Sequence, residues 1–212
     1  MSWAVPKYDV DAFRRYAADV FSQGEPVVVT EKIHGANARY VFQDGQIFCG
    51  SRTERKKNMW WQALEATPTL RSFCEANPGV VVFGEVYGAV TDLPYGHKAG
   101  QVSFAAFDLL KDGQWVDAWP ARNRLVEYKV PCVPLFNEIK DYKMGLFAPE
   151  WVAHEIPYDF DTLCEMAEGK STLPGVDHVR EGVVIKPVIE RWHEKIGRVQ
   201  LKIVGAGYLE RK

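Results

Sequence analysis

The sequence lacks the marks of a secreted or membrane protein. It has four cysteines in 212 residues (Cys49, Cys74, Cys132 and Cys164), widely spaced and without a C-x-x-C pair. Neither a disulfide framework nor a zinc ribbon is encoded. There is no Asn-x-Ser/Thr acceptor, no signal-peptide pattern and no apolar run long enough to cross a bilayer. The expectation is free thiols in a reducing cytoplasm, packed as small hydrophobes. The five histidines form no H-E-x-x-H, so His97, His154, His178 and His193 are expected at the surface or in packing. A charge excess is missing too. Lysine and arginine total 26 against 28 acids, net −2, which excludes a globally basic coat for a polyanion.

What is present is the balance of a globular chain, 47% hydrophobic and 25% charged. The length suits one domain able to bury its own core. The charge is uneven. Residues 138–168 carry eight acids and two lysines, whereas residues 191–212 carry six bases and two acids, and Ser51–Lys57 carries four bases and one acid. Local basic faces can hold a polyanion even on an acidic protein.

Periodicity predicts a helix over Asp9–Phe21, stopped by Pro26, and a strand over Val27–Thr30. Ala36–Phe42, Asp44-Gly45 and Gln46–Cys49 read as a β-hairpin. A helix broken near Pro68 covers Met59–Ala76. Strands follow at Gly79–Tyr87 and Gln101–Leu110, the second turned by Asp112-Gly113. Helices are predicted at Pro120–Val130 and Asp159–Glu168. Gly182–Val188 and Gly197–Val204 read as two strands that pair. With no repeat or linker, the expectation is a single α+β domain over residues 1–212, built on antiparallel strands with helices on the sheet faces.

Some signals are false leads. Gly169-Lys170-Ser171 looks like the end of a phosphate loop, but Cys164 stands where the first glycine belongs and no strand precedes it. Trp60-Trp61, beside the basic run, suits either core packing or base stacking.

Four blocks carry more. In Thr30-Glu31-Lys32-Ile33-His34-Gly35-Ala36-Asn37 a lysine ends an apolar strand, and a glycine follows three residues later. Val82-Phe83-Gly84-Glu85-Val86-Tyr87-Gly88 sets a carboxylate in an apolar strand. Ser103-Phe104-Ala105-Ala106-Phe107-Asp108-Leu109 brings an aromatic and an acid to a strand end. Glu181-Gly182-Val183-Val184-Ile185-Lys186 opens a strand with a carboxylate and closes it with a lysine. Buried carboxylates are costly unless they meet a metal, a cation or a donor. Two of them with two lysines suggest a site for a phosphate and a divalent cation.

In order and spacing, these blocks resemble the motifs of covalent lysine nucleotidyltransferases, and specifically the ATP-dependent RNA ligase 2 group. Lys32, His34, Gly35 and Asn37 match Lys-x-His-Gly-x-Asn. DNA ligases and capping enzymes usually have Asp where His34 stands. Ser51-Arg52, Phe83-Gly84-Glu85, Phe107-Asp108, Glu181–Lys186 and Gln200-Leu201-Lys202 match the later motifs. The resemblance implies an antiparallel-sheet nucleotidyltransferase domain, an ATP-grasp-like ligase adenylation fold. It implies an enzyme that seals RNA 3′-OH and 5′-phosphate ends, in a nicked or bridged duplex, through a lysyl-AMP and an adenylylated RNA 5′ end. By that resemblance Lys32 is the nucleophile. Lys186, Lys202 and His34 serve the phosphates. Glu31 and Phe107 hold adenine, Arg52 and Glu85 hold its ribose, and Ile33 is a further nucleotide-binding residue. Glu181 and Glu85 are the candidate ligands for Mg²⁺ or Mn²⁺. Asn37, Arg55, Lys56 and Lys57 face RNA.

The chain departs from the pattern twice. The fifth motif usually has Lys-x-Lys; this chain offers Gln200-Leu201-Lys202 or Lys202-Ile203-Val204, so one lysine is missing in either alignment, with Arg198 and Lys195 as candidates to supply the charge. The sequence also ends ten residues after Lys202, so no C-terminal OB or helical module is expected. An accessory protein is a candidate to replace it, and the enzyme is expected to be a monomer. A DNA or mixed-end ligase, and a non-catalytic module that binds nucleotide or RNA ends, are the alternatives.

Overall fold

A computed structural model describes residues 6, 8–51, 58–136 and 155–211, with the backbone alone for Glu155. In chain order the elements begin with β1 (Asp11–Ala12), α1 (Phe13–Val20), β2 (Pro26–Lys32), β3 (Ala36–Gln43), β4 (Gln46–Gly50), α2 (Asn58–Ala66) and α3 (Pro68–Ala76). They continue with β5 (Val81–Gly88), β6 (Val102–Lys111), β7 (Gln114–Trp115), α4 (Ala118–Glu127), β8 (Glu155–Pro157) and α5 (Phe160–Met166). The last are β9 (Gly182–Pro187), β10 (Trp192–His193), β11 (Gly197–Arg198), β12 (Leu201–Val204) and α6 (Ala206–Glu210). The α+β class with helices on the sheet faces is as the sequence predicts.

The chain divides into two compact units. One comprises Met1–Asp9, His34–Val116 and Pro120–Cys132, the other Val10–Ile33, Asp117–Trp119 and Val133–Lys212.

The first unit is an antiparallel sheet ordered β4-β3-β5-β6-β7. Both of its predicted hairpins form. Asp44-Gly45 and Asp112-Gly113 each take two successive left-handed conformations, with φ of 52° and 77° in the first and 51° and 77° in the second. That is the turn whose twist matches paired strands. One sheet face, with Ala38, Tyr40, Val82, Val86, Phe104 and Ala106, packs on Trp60 and Leu64 of α2, Phe73 of α3 and Leu125 of α4. Trp60 is therefore a core residue, and its neighbour Trp61 is exposed. Pro68 starts α3, where its missing N–H costs nothing.

The second unit is a sheet ordered β1-β12-β9-β2-β8. Val27, Val29, Val183, Ile185, Leu201 and Ile203 bury against Phe13 and Ala17 of α1 and Leu163 near the middle of α5. Asp159 caps α5 by accepting the Thr162 N–H at 2.9 Å.

Several boundaries differ from expectation, among them α4, which runs Ala118–Glu127 instead of Pro120–Val130, and two differences follow from pairing. The first helix begins at Phe13 instead of Asp9, because Asp11 and Ala12 pair in parallel with Leu201 and Lys202. The strand predicted over Gly197–Val204 is split. Gly197–Arg198 turns back on Trp192–His193, and only Leu201–Val204 pairs with β9. Helical spacing cannot report a competing β-partner distant in sequence.

Candidate active site

In the second unit the strand register decides which side chains share a face. Lys32 lies opposite Gly182, Thr30 opposite Val184, and Val28 opposite Lys186 across the β2–β9 pairing. Lys202 lies opposite Val184 across β9–β12. Directly opposed residues, and residues two apart, point to the same side of a sheet. Lys32, Lys186 and Lys202 therefore share one face, the one turned away from α1 and α5. By strand spacing, the Cα atoms of Lys186 and Lys202 lie about 12–14 Å from that of Lys32.

Glu181 precedes β9, next to the Gly182 that opposes Lys32. The Lys32 ammonium donates to Glu181 Oε1 at 2.5 Å, with the side chains 24% and 12% exposed. Gly182 is demanded locally. Its φ is +154°, and a Cβ there would run into the Ile203 carbonyl of β12. The Glu-Gly pair thus couples a carboxylate to the one residue that lets β9 and β12 close together.

Position 200, where the first alignment of the fifth motif would set a lysine, is filled by packing rather than by charge. Gln200 is 2% exposed and accepts from Arg198 Nη1 at 3.1 Å. The two substitutes suggested by the sequence are engaged elsewhere. Arg198 grips Glu190 with Nε at 2.7 Å and Nη2 at 2.5 Å, and Lys195 pairs with Asp19 at 2.9 Å.

Glu31 is adjacent to Lys32 in an alternating strand, so its side chain takes the opposite, core-facing side. It is 1% exposed. Oε1 accepts the Ser171 hydroxyl at 2.6 Å, and Oε2 accepts both the Thr172 N–H and its hydroxyl at 2.6 Å. The structure does not bring this carboxylate to the face of Lys32. Ile33 is buried. Ser171, the residue of the false phosphate loop, is a partner of Glu31, and Lys170 pairs with Asp177.

In the first unit the same alternation places Asn37 opposite Glu85 across β3–β5 and Glu85 opposite Ala105 across β5–β6. These residues occupy the face away from α2 and α3. Gly35 lies so close to β5 that a Cβ would meet the Val86 carbonyl. The His34 N–H donates to Tyr95 Oη at 2.7 Å, and His34 Nε2 lies 3.0 Å from Asp92 Oδ1. The β5–β6 register slips between Phe83, opposite Asp108, and Gly84, opposite Ala106. The extra residue of this bulge is Phe107, and a bulge re-aims the side chain it carries.

Arg52, Arg55, Lys56 and Lys57 lie outside the described residues, as does His154. Among the described residues no group of three or more His, Cys, Asp or Glu is placed to hold a metal. None of their helices is long and apolar enough to cross a membrane. Sequence reading missed Asp92, Tyr95, Ser171 and Thr172. They belong to irregular segments, where periodicity gives no signal, and the only motif to touch them was the rejected phosphate loop at Ser171.

A sequence profile of the RNA ligase family matches residues 25–204. No match was found among curated protein sequences. Solved structures with the same fold include three mutants of the Naegleria gruberi RNA ligase. One is an apo form, 18% identical at a TM-score of 0.73 over 99% of this chain and 58% of that one. A second was solved with ATP and Mn, 18% identical at 0.73 over 99% and 59%. A third, also with ATP and Mn, is 20% identical at 0.72 over 99% and 59%. The chain thus spans less than two thirds of the length of these structures. With most of its length inside the profile, this chain belongs to the RNA ligase family.

Proposed function

We propose that the chain is the adenylyltransferase domain of an ATP-dependent RNA ligase, over residues 1–212, acting in the cytoplasm as a monomer. The observation that carries this reading is Lys32 against Glu181 on the lysine-bearing face of the second unit's sheet.

The chemistry proceeds in three displacements at phosphorus. Lys32 Nζ loses a proton, turns from Glu181 and bonds to the α-phosphorus of ATP while the bond to pyrophosphate breaks. The RNA 5′-phosphate then displaces Lys32 and takes the AMP. Finally the 3′-hydroxyl loses its proton and bonds to the phosphorus of that 5′-phosphate while its bond to AMP breaks, so AMP is released and the strand is sealed. Each transition state spreads negative charge over phosphoryl oxygens, so fixed cations do most of the work. Lys186 and Lys202 supply them.

Glu181 is the carboxylate for a divalent ion, with Glu85 as the second candidate. Carboxylate oxygens are hard donors, and one carboxylate with substrate phosphates and water is a usual Mg²⁺ or Mn²⁺ set. The Glu181 side chain is 12% exposed beside Lys32. When bound, the ion would neutralise phosphate charge. Phe107 stacks on adenine, Glu85 and Arg52 take the ribose, His34 orients phosphates, and Asn37 reads the RNA end.

The test is sealing of a 5′-phosphorylated nick in duplexes that differ only in the 3′-OH strand. Sealing with ribonucleotides at the 3′-OH side, and little with deoxyribonucleotides, is expected. Equal sealing of DNA would replace this reading with a general polynucleotide ligase. Sealing of neither, with AMP bound but never transferred, would favour an end-binding module.

A further inference from the structure

Tyr8 lies before residue 25, where the family profile begins. It is nonetheless joined to the aromatic block of the first unit. Its ring is 8% exposed. Its centroid is 4.7 Å from that of Phe107 at 43°, 5.5 Å from Phe83 and 5.6 Å from Trp115. Its hydroxyl donates to Asp108 Oδ2, a carboxylate with no exposed surface.

These contacts centre on the β-bulge. Phe107 is its extra residue, and Asp108 resumes the register opposite Phe83. A bulged residue lacks the regular ladder that fixes its neighbours, so its direction depends on what packs on it. Phe107 is half-buried, and Tyr8 holds it in two ways. The tyrosine ring packs directly on the phenylalanine ring. The hydroxyl anchors that tyrosine to the next residue of the same strand. Burying a carboxylate is costly without a strong donor, and the tyrosine hydroxyl is such a donor.

We propose that Tyr8 is a positioning residue for nucleotide binding, fixing the Phe107 ring in the orientation that receives a purine base. The assignment rests on the adenylyltransferase reading above. It adds to that reading an N-terminal residue outside the motif blocks.

The experiment measures lysyl-AMP formation against ATP concentration in the wild type, Tyr8→Phe, Tyr8→Leu, Phe107→Leu and the double Tyr8→Leu/Phe107→Leu variant. Tyr8→Leu is expected to raise KM for ATP about tenfold with kcat within about threefold. Tyr8→Phe keeps the ring and should raise KM by no more than about threefold. The double variant should match Phe107→Leu, because the two residues act as one unit. A residue that only stabilises the fold would lower Tm and leave KM unchanged in both Tyr8 variants, and that result overturns the assignment. Independent, multiplying effects of Tyr8→Leu and Phe107→Leu on KM also overturn it. If wild type takes up no AMP, the adenylyltransferase reading fails and this one with it. If wild type is active, only the role of Tyr8 is in question.

Discussion

Lys32 Nζ and Glu181 Oε1 meet at 2.5 Å, although 149 residues separate them in sequence. Strand register brings them together, since Lys32 opposes Gly182 and Glu181 is the residue before it. The Lys32 block and the Glu181–Lys186 block are thus brought together by backbone pairing. A one-residue slip would turn Lys32 to the core side.

The clasp on Glu31 should be visible in stability. Ser171→Ala removes the hydroxyl that donates to Oε1 at 2.6 Å and leaves a buried carboxylate oxygen short of a donor. The expected cost is about 2 kcal/mol, or a fall in Tm of about 4–8 °C. Thermal melts of the two proteins check it. No change would show that water replaces the hydroxyl freely.

Gln200 invites a restoring mutation, and the structure argues against it. Gln200→Lys would bury a second cation beside Arg198, whose Nη1 now donates to the glutamine oxygen. Destabilisation of about 1–3 kcal/mol is expected, with no gain in the rate of AMP uptake. Single-turnover rates and melts on the same variant separate the two effects. A faster enzyme of unchanged stability would mean that the lysine head escapes towards the phosphates.

Hydrogen bonds from Thr162 and Gln23 hold the Asp159 carboxyl below the usual carboxylate range. A group depressed in the folded state stabilises above its unfolded value and loses that contribution as pH falls through the folded one. Asp159→Asn keeps a capping oxygen but loses the charge at the start of α5. The variant should melt below wild type at pH 6. The gap should close as pH drops under about 4, the ordinary carboxylate value. A gap independent of pH would contradict this.

Burial pushes the Cys49 and Cys74 thiols up to about 12. The thiolate is the reactive form. At pH 8 both should resist iodoacetamide in the folded protein and react after denaturation, as peptide mass mapping would show. Rapid labelling of either in the native state would mean that the helix-bearing face of the first sheet opens readily.

Much of this was legible beforehand because the informative signals are local. Asp-Gly turns, Pro68 and the glycine-flanked carboxylates each act within a few residues. The lysine series was legible too, but its shared face was not, since a face follows from register between strands far apart in sequence. Glu31 shows the cost. The family resemblance implied an adenine contact for Glu31, whereas strand alternation sends its carboxylate to Ser171 and Thr172. Tyr8 and Asp92 were invisible for a related reason. Their meaning lies in a contact with a motif residue, and neither belongs to a pattern.

On the proposed mechanism Lys32 carries AMP. This is tested by intact-protein mass after discharge with pyrophosphate and then incubation with ATP and Mg²⁺ or Mn²⁺, beside Lys32→Ala. A gain of one AMP in wild type and none in the variant is predicted. No gain with either metal, or an equal gain in Lys32→Ala, would contradict the account.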